Sequence, residues 1–130
     1  MTYNSGITLI EILVVIILIG ILAAAVFPQF TKSLESGLDS EANSTLRLIR
    51  QAENFYRMEE GSYVNCSDID TLNSRLKLSI PNVTSRKWNY KVTSATGTSF
   101  MAVTKRNGYD NRTRCINESV DEPFSTGCSW

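Results

Sequence analysis

Residues 6–28 read GITLIEILVVIILIGILAAAVFP, an apolar run between Gly6 and Pro28 whose single charged residue is Glu11. As a helix at ~1.5 Å per residue, the stretch 7–27 reaches about 32 Å, close to the hydrocarbon thickness of a bilayer. It is therefore a candidate membrane-spanning helix. A carboxylate placed in hydrocarbon costs roughly 2.5–3.5 kcal/mol on insertion scales, so Glu11 calls for a cation, and the run contains none.

Gly6-Ile7-Thr8-Leu9-Ile10-Glu11, the apolar run behind it and Pro28 closely resemble the start of type IV pilins and of type II secretion pseudopilins. The resemblance implies a leader, 1–6, removed by a membrane prepilin peptidase between Gly6 and Ile7, with N-methylation of Ile7. It also implies assembly roles for Glu11, the fifth residue after the cut, and for Pro28, the twenty-second. The new amine of Ile7 would be the missing cation. Ile7 and Glu11 lie one helical turn apart, so the amine could reach its own glutamate; the resemblance adds the amine of a neighbouring subunit. Both pairings stay open. The chain departs from the family pattern at Ile7, where phenylalanine is usual, and in its leader, which has no Lys or Arg. Loop charge therefore gives no orientation.

Two rivals compete for the same run. A secretory signal peptide would have a basic n-region, an apolar core of about 7–15 residues and a small-residue cut site, for which Ala23-Ala24-Ala25 could pass. A plain membrane anchor needs only the apolar length. Neither accounts for Gly6, Glu11 and Pro28 at their spacing.

The residues after Phe27 suffice for one small domain. Thirteen basic and thirteen acidic side chains cancel, so no general attraction to nucleic acid is implied. Histidine is absent, which removes the commonest general base and metal ligand. There is no Gly-rich phosphate loop and no zinc-type cysteine spacing. An enzyme is not expected, and neither is a cofactor.

Apolar residues at spacings of three and four continue past Pro28: Phe30, Leu34, Leu38, Ala42, Leu46, Ile49, Ala52 or Glu53, and Tyr56. One helix from Ile7 to about Arg57 is expected, apolar over 7–27 and amphipathic over 28–57, loosened at Pro28 and weakened at Gly37, with Gly61 as its stop. Residues 58–130 form the expected head. Asn54-Phe55-Tyr56-Arg57 through Gly61-Ser62-Tyr63 again resembles pilins. Leu72, Leu76 and Ile80 hint at a short helix or a loop packing back. Trp88, Tyr90 and Val92 alternate with polar residues, as do Phe100, Ala102 and Thr104, and 113–118 can supply a third strand, with Asn107-Gly108 as a turn. The fold class is α+β: a long amino-terminal helix packed against a small antiparallel sheet, as in the pilin fold.

Three cysteines permit the pairings 66–115, 66–128 and 115–128. The carboxyl end resembles the disulfide-bounded loop that closes many type IV pilins, and this resemblance implies Cys115 with Cys128, leaving Cys66 as a partly buried thiol or an intermolecular bridge. Asn-x-Ser/Thr triplets at Asn43, Asn65, Asn82, Asn111 and Asn117 are expected by chance in so polar a chain. Asp110, Asp121 and Glu122 could hold calcium, but lack the regular spacing of a calcium loop and read as solvated acids. Phe27, Phe30, Phe55, Tyr56 and Tyr63 could be cast as an electron path; aromatic side chains at helical spacing usually pack.

The expected function is polymeric: a filament subunit held first in the inner membrane, then in an extracellular pilus serving adhesion, twitching motility or DNA uptake. Its partners would be further copies of itself, the prepilin peptidase and the pilus assembly machinery, with no direct nucleic-acid binding. A periplasmic pseudopilin of type II secretion is the alternative, and a membrane-anchored binding module is the alternative of another class.

Overall fold

A computed structural model describes residues 6–108 and 112–130. The leader before Gly6, Asp110 and Asn111 lie outside the described residues. The element order is α1 (Leu9–Glu60), α2 (Ile69–Arg75), β1 (Trp88–Thr93), β2 (Met101–Arg106) and β3 (Thr113–Asn117).

Helix α1 is continuous through Pro28 and three residues longer at its carboxyl end than the periodicity suggests. It stops at Gly61, whose φ of +80° is the left-handed conformation that glycine adopts without a Cβ penalty; the Gly61 N–H returns to the Arg57 carbonyl at 2.8 Å. By its contacts the chain divides into two units, one ending at Gly37 and the other spanning Leu38–Trp130. In the first, the apolar side chains of α1 are exposed, and the helix is long and apolar enough to cross a membrane.

In the second unit, Ala42, Leu46, Ile49 and Glu53 of α1 recur at three- and four-residue spacing and are fully buried. Strands β1, β2 and β3 pair antiparallel in that order, with Val92 opposite Ala102 and Ala102 opposite Ile116. These three, with Trp88 and Tyr90, form the sheet's contribution to the core shared with α1 and α2. Full burial of a side chain the size of Val92 or Ile116 is worth about 1.5–3 kcal/mol. The Trp88 indole N–H donates to the Leu38 carbonyl at 2.9 Å, and Arg114 pairs with Asp39 at 2.9 Å, so both ends of the sheet order are tied to α1. Phe30 and Leu34, which the periodicity assigns to the packing face, are exposed and precede this unit.

The other face of the sheet carries Lys91, Val103 and Cys115 in register. Residues after β3 return over it. Phe124 exchanges both backbone hydrogen bonds with Cys115, Cys128 is disulfide-bonded to Cys115, and the Trp130 ring lies 4.6 Å from the Lys91 ammonium. Val103 and Cys115 are consequently fully buried although they face away from α1.

The region 64–85, mixed in its pattern, contains α2. Asp68 caps it, accepting from the Thr71 N–H while the Thr71 hydroxyl receives the Asp68 N–H. Asn73 then bonds Ile80 through both its amide oxygen and its amide nitrogen at 2.8 Å, holding the following loop against the helix.

Candidate functional site

The amino-terminal site is built on the first turn of α1. Thr8 precedes the helix, and its hydroxyl accepts the Glu11 N–H at 3.3 Å while its carbonyl accepts the same group at 3.1 Å. Thr8-x-x-Glu11 is thus a helix-start motif of the Ser/Thr-x-x-Glu kind. It places Glu11 where the four unpaired N–H groups and the positive end of the helix dipole favour a negative charge. The carboxylate is exposed, as is Ile7, and among the described residues no basic side chain forms an ion pair with it. Thr8 is a functional residue that the apolar pattern alone does not reveal, and its signal in the sequence is the Thr-x-x-Glu spacing.

Pro28 lacks an N–H, so the carbonyl of Ala24, one turn earlier, has no helical donor. Three residues on, the Thr31 hydroxyl donates to the Pro28 carbonyl at 3.0 Å. The backbone ladder is therefore perturbed on both sides of one position, which is how helices acquire bends without losing continuity.

The carboxyl-terminal loop is closed twice. The disulfide joins Cys115 to Cys128, and the Arg50 side chain on α1 gathers the loop's oxygens: its Nε donates to the Asn117 carbonyl at 3.0 Å, one terminal nitrogen to the Glu118 carbonyl at 3.0 Å and the other to Asp121. Arg47 pairs with Glu122. Asp121 and Glu122, considered above as calcium ligands, thus each face a guanidinium. The Asn117 side chain accepts the Ser119 and Val120 N–H groups, and that of Asn65 accepts the Ala95 N–H, so two of the Asn-x-Ser/Thr asparagines act as turn formers. Tyr63 packs its ring 4.7 Å from that of Phe100.

Cys66 is a fully buried free thiol. Burial pushes it up to about 11, and the nearby Glu53 carboxylate adds to the effect, so it is a poor nucleophile at neutral pH. Glu53 was legible as a helix-face residue but not as a buried one. Its burial raises the carboxyl to about 7, against the opposing hydrogen bond from the Val64 N–H.

The profile of the prokaryotic N-terminal methylation motif matches residues 1–27. The chain is 29% identical to the type IV major pilin protein PilA of Myxococcus xanthus over 94 residues, which is 72% of this chain and 39% of that protein. It is 32% identical to the type II secretion system core protein G of Pseudomonas aeruginosa over 86 residues, 66% of this chain and 59% of that one. The matches thus span about two-fifths and three-fifths of the length of these relatives. Both alignments extend well beyond the matched motif. Together with a long helix, apolar in its first half, followed by a three-stranded antiparallel sheet, they make the chain similar to type IV pilins and type II secretion pseudopilins.

Proposed function

We propose that this chain is the structural subunit of a type IV pilus, cut between Gly6 and Ile7, N-methylated at Ile7 and assembled through residues 7–27. The observation that carries this reading is the exposed apolar half of α1 with one acidic residue in its first turn. A surface of that extent needs a covering, first lipid and then the same helices of other copies. Transfer between those two apolar surroundings changes the burial of the helix little, so a charge pair can decide docking and register. Glu11 with the amine of a neighbouring Ile7 is that pair.

On this reading the chain waits in the inner membrane with 7–27 as the span, 28–57 and 58–130 outside it, and passes into an extracellular fibre serving adhesion, twitching motility or DNA uptake. The prepilin peptidase and the assembly machinery act on it. The disulfide-closed tail supports an extracellular or periplasmic location, where thiols oxidise. The pseudopilin reading, a subunit of a short periplasmic filament in type II secretion, is favoured by the alignment with core protein G. Shearing cells and blotting the released material separates the two: long fibres containing the chain support a pilus, whereas retention in the cell envelope with loss of secretion in a deletion strain supports the alternative.

A further inference from the structure

A recess of about 230 Å³ opens beside α2, lined by Ser67, Asp68, Asn82, Arg86, Asn89 and Trp130. The two tryptophans of the chain are in contrasting states. Trp88 is buried with its N–H bonded, whereas Trp130 is 44% exposed.

The polar groups of the recess are organised around Arg86. Its guanidinium donates to the Trp88 carbonyl at 2.6 Å, the Pro81 carbonyl at 3.3 Å, the Asn82 amide oxygen at 2.9 Å and the Asn89 amide oxygen at 2.5 Å. Both amides are thereby oriented, oxygens inward to the arginine. Asn82 spends one amide hydrogen on Asp70 and Asn89 one on Asn107. Each amide nitrogen carries two hydrogens, so each keeps one to give. The Ser67 hydroxyl donates to Asp68 at 3.0 Å and keeps its lone pairs as acceptors. The Thr71 N–H, and then the Ser67 hydroxyl, hold the Asp68 carboxyl below the usual range, so it accepts and does not donate at neutral pH.

These groups select by charge. An anion meets the Asp68 carboxylate and an arginine whose hydrogens are largely committed. A cation seeking the indole meets the Lys91 ammonium already 4.6 Å from the ring centroid. A wholly apolar ligand would strand the amide and hydroxyl groups without partners. What remains is a neutral ring with C–H faces and hydroxyl edges: its face covers the indole, and its hydroxyls take the amide hydrogens and give to Ser67 and Asp68. We propose that this recess is a binding site for a neutral sugar ring, with Trp130 as its platform and Asn82 and Asn89 as its donors. The volume falls below the roughly 300 Å³ at which sites for drug-sized ligands begin, so it admits one ring and leaves the rest of a longer glycan in solvent. The assignment stands on the Leu38–Trp130 unit and is independent of which filament the chain builds.

The test uses the full chain in micelles of a zwitterionic, sugar-free detergent, observing the two indole N–H resonances while titrating glucose, galactose, mannose or N-acetylglucosamine, with inorganic phosphate and tetramethylammonium as charged probes. One of the sugars should shift the Trp130 resonance saturably and leave Trp88, the reporter of an intact core, in place. Asn82→Ala should weaken the response several-fold, and in Trp130→Ala the sugar should move no resonance while Trp88 stays unchanged. The proposal is overturned if no sugar moves Trp130 up to about 100 mM, far into the weak range of affinities. It is equally overturned if Trp88 moves in parallel, if Asn82→Ala leaves the response unaltered, or if phosphate or tetramethylammonium binds more tightly than every sugar.

Discussion

The Glu53 carboxylate, enclosed between α1 and the segment that follows it, accepts the Val64 N–H at 3.0 Å through one oxygen, and its other oxygen has no hydrogen-bond partner among the described residues. The bond fastens the chain where it leaves α1, beside two others: Tyr63 donates to Asn54 at 3.1 Å, and the Arg57 guanidinium lies 5.0 Å from the Tyr63 ring centroid. A carboxylate here is favoured for the backbone it holds and disfavoured for the charge it buries.

This relationship makes stability depend on pH. The folded carboxyl titrates at about 7 against 4.5 for the ordinary group, so folding favours the protonated form. The stabilisation is complete below pH 4.5 and is lost as pH rises through 7. Glu53→Gln keeps the acceptor for Val64 and removes the titration. Thermal unfolding of the wild type should show a fall on the order of 2–3 kcal/mol between pH 4.5 and 8. The variant should show a much flatter profile and exceed the wild type at pH 8; parallel profiles would refute the assignment.

Arg50→Ala should free the loop 117–122 from α1. Three acceptors lose a charged donor together, and hydrogen bonds to charged groups contribute about 1.5–3 kcal/mol; because the Asp121 end is exposed, a total near 2 kcal/mol is expected. Arg50→Lys should recover little, since an ammonium cannot reproduce the planar fork. Urea unfolding and amide exchange of Ser119 and Val120 measure both effects.

Reduction of Cys115–Cys128, which are 13 residues apart, should cost about 3 kcal/mol by releasing the loop constraint on the unfolded chain. Under the same native conditions Cys66 should stay unreactive. Maleimide labelling without reductant is expected to modify no cysteine in the folded protein and one in denaturant; rapid labelling of the folded chain would contradict the buried placement.

Glu11→Ala should leave a subunit that is inserted and cut but that assembles poorly, and undiminished fibre yield would refute the charge pairing. Gly6→Ala should remain largely uncut, checked by mass spectrometry for a chain beginning at Ile7. Because Thr8 caps the helix through its hydroxyl, Thr8→Val should weaken the first turn by about 1 kcal/mol.

The elements were legible where a single period ran long enough. Residues 30–56 show a spacing of three and four, and the alternation of Trp88, Tyr90 and Val92 leaves little choice but a strand with one buried face. Periodicity does not say where a partner surface begins, so Phe30 and Leu34 carry the same pattern as Leu46 and Ile49 yet lie exposed. Composition also misleads at Glu53, because a charged residue at a helical position normally faces water and only the Val64 N–H accounts for it there. The contacts of Arg47 and Arg50 with Glu122 and Asp121 join residues more than 70 positions apart, which no local signal encodes. At the amino terminus the motif was readable by resemblance, while the capping role of Thr8 needed only local chemistry.

The isolated bridges of the sheet have a consequence for how copies can join. Cys66 bonds Val92 in both directions along the outer side of β1, and Phe124 does the same to Cys115 along the outer side of β3. Both margins that could template a foreign strand are interrupted, that of β1 at its penultimate residue and that of β3 at its centre, as sheets that avoid lateral aggregation require. If copies join as proposed, through residues 7–27, these two bridges would turn them away from the cross-stranded deposits that a bare three-stranded sheet invites.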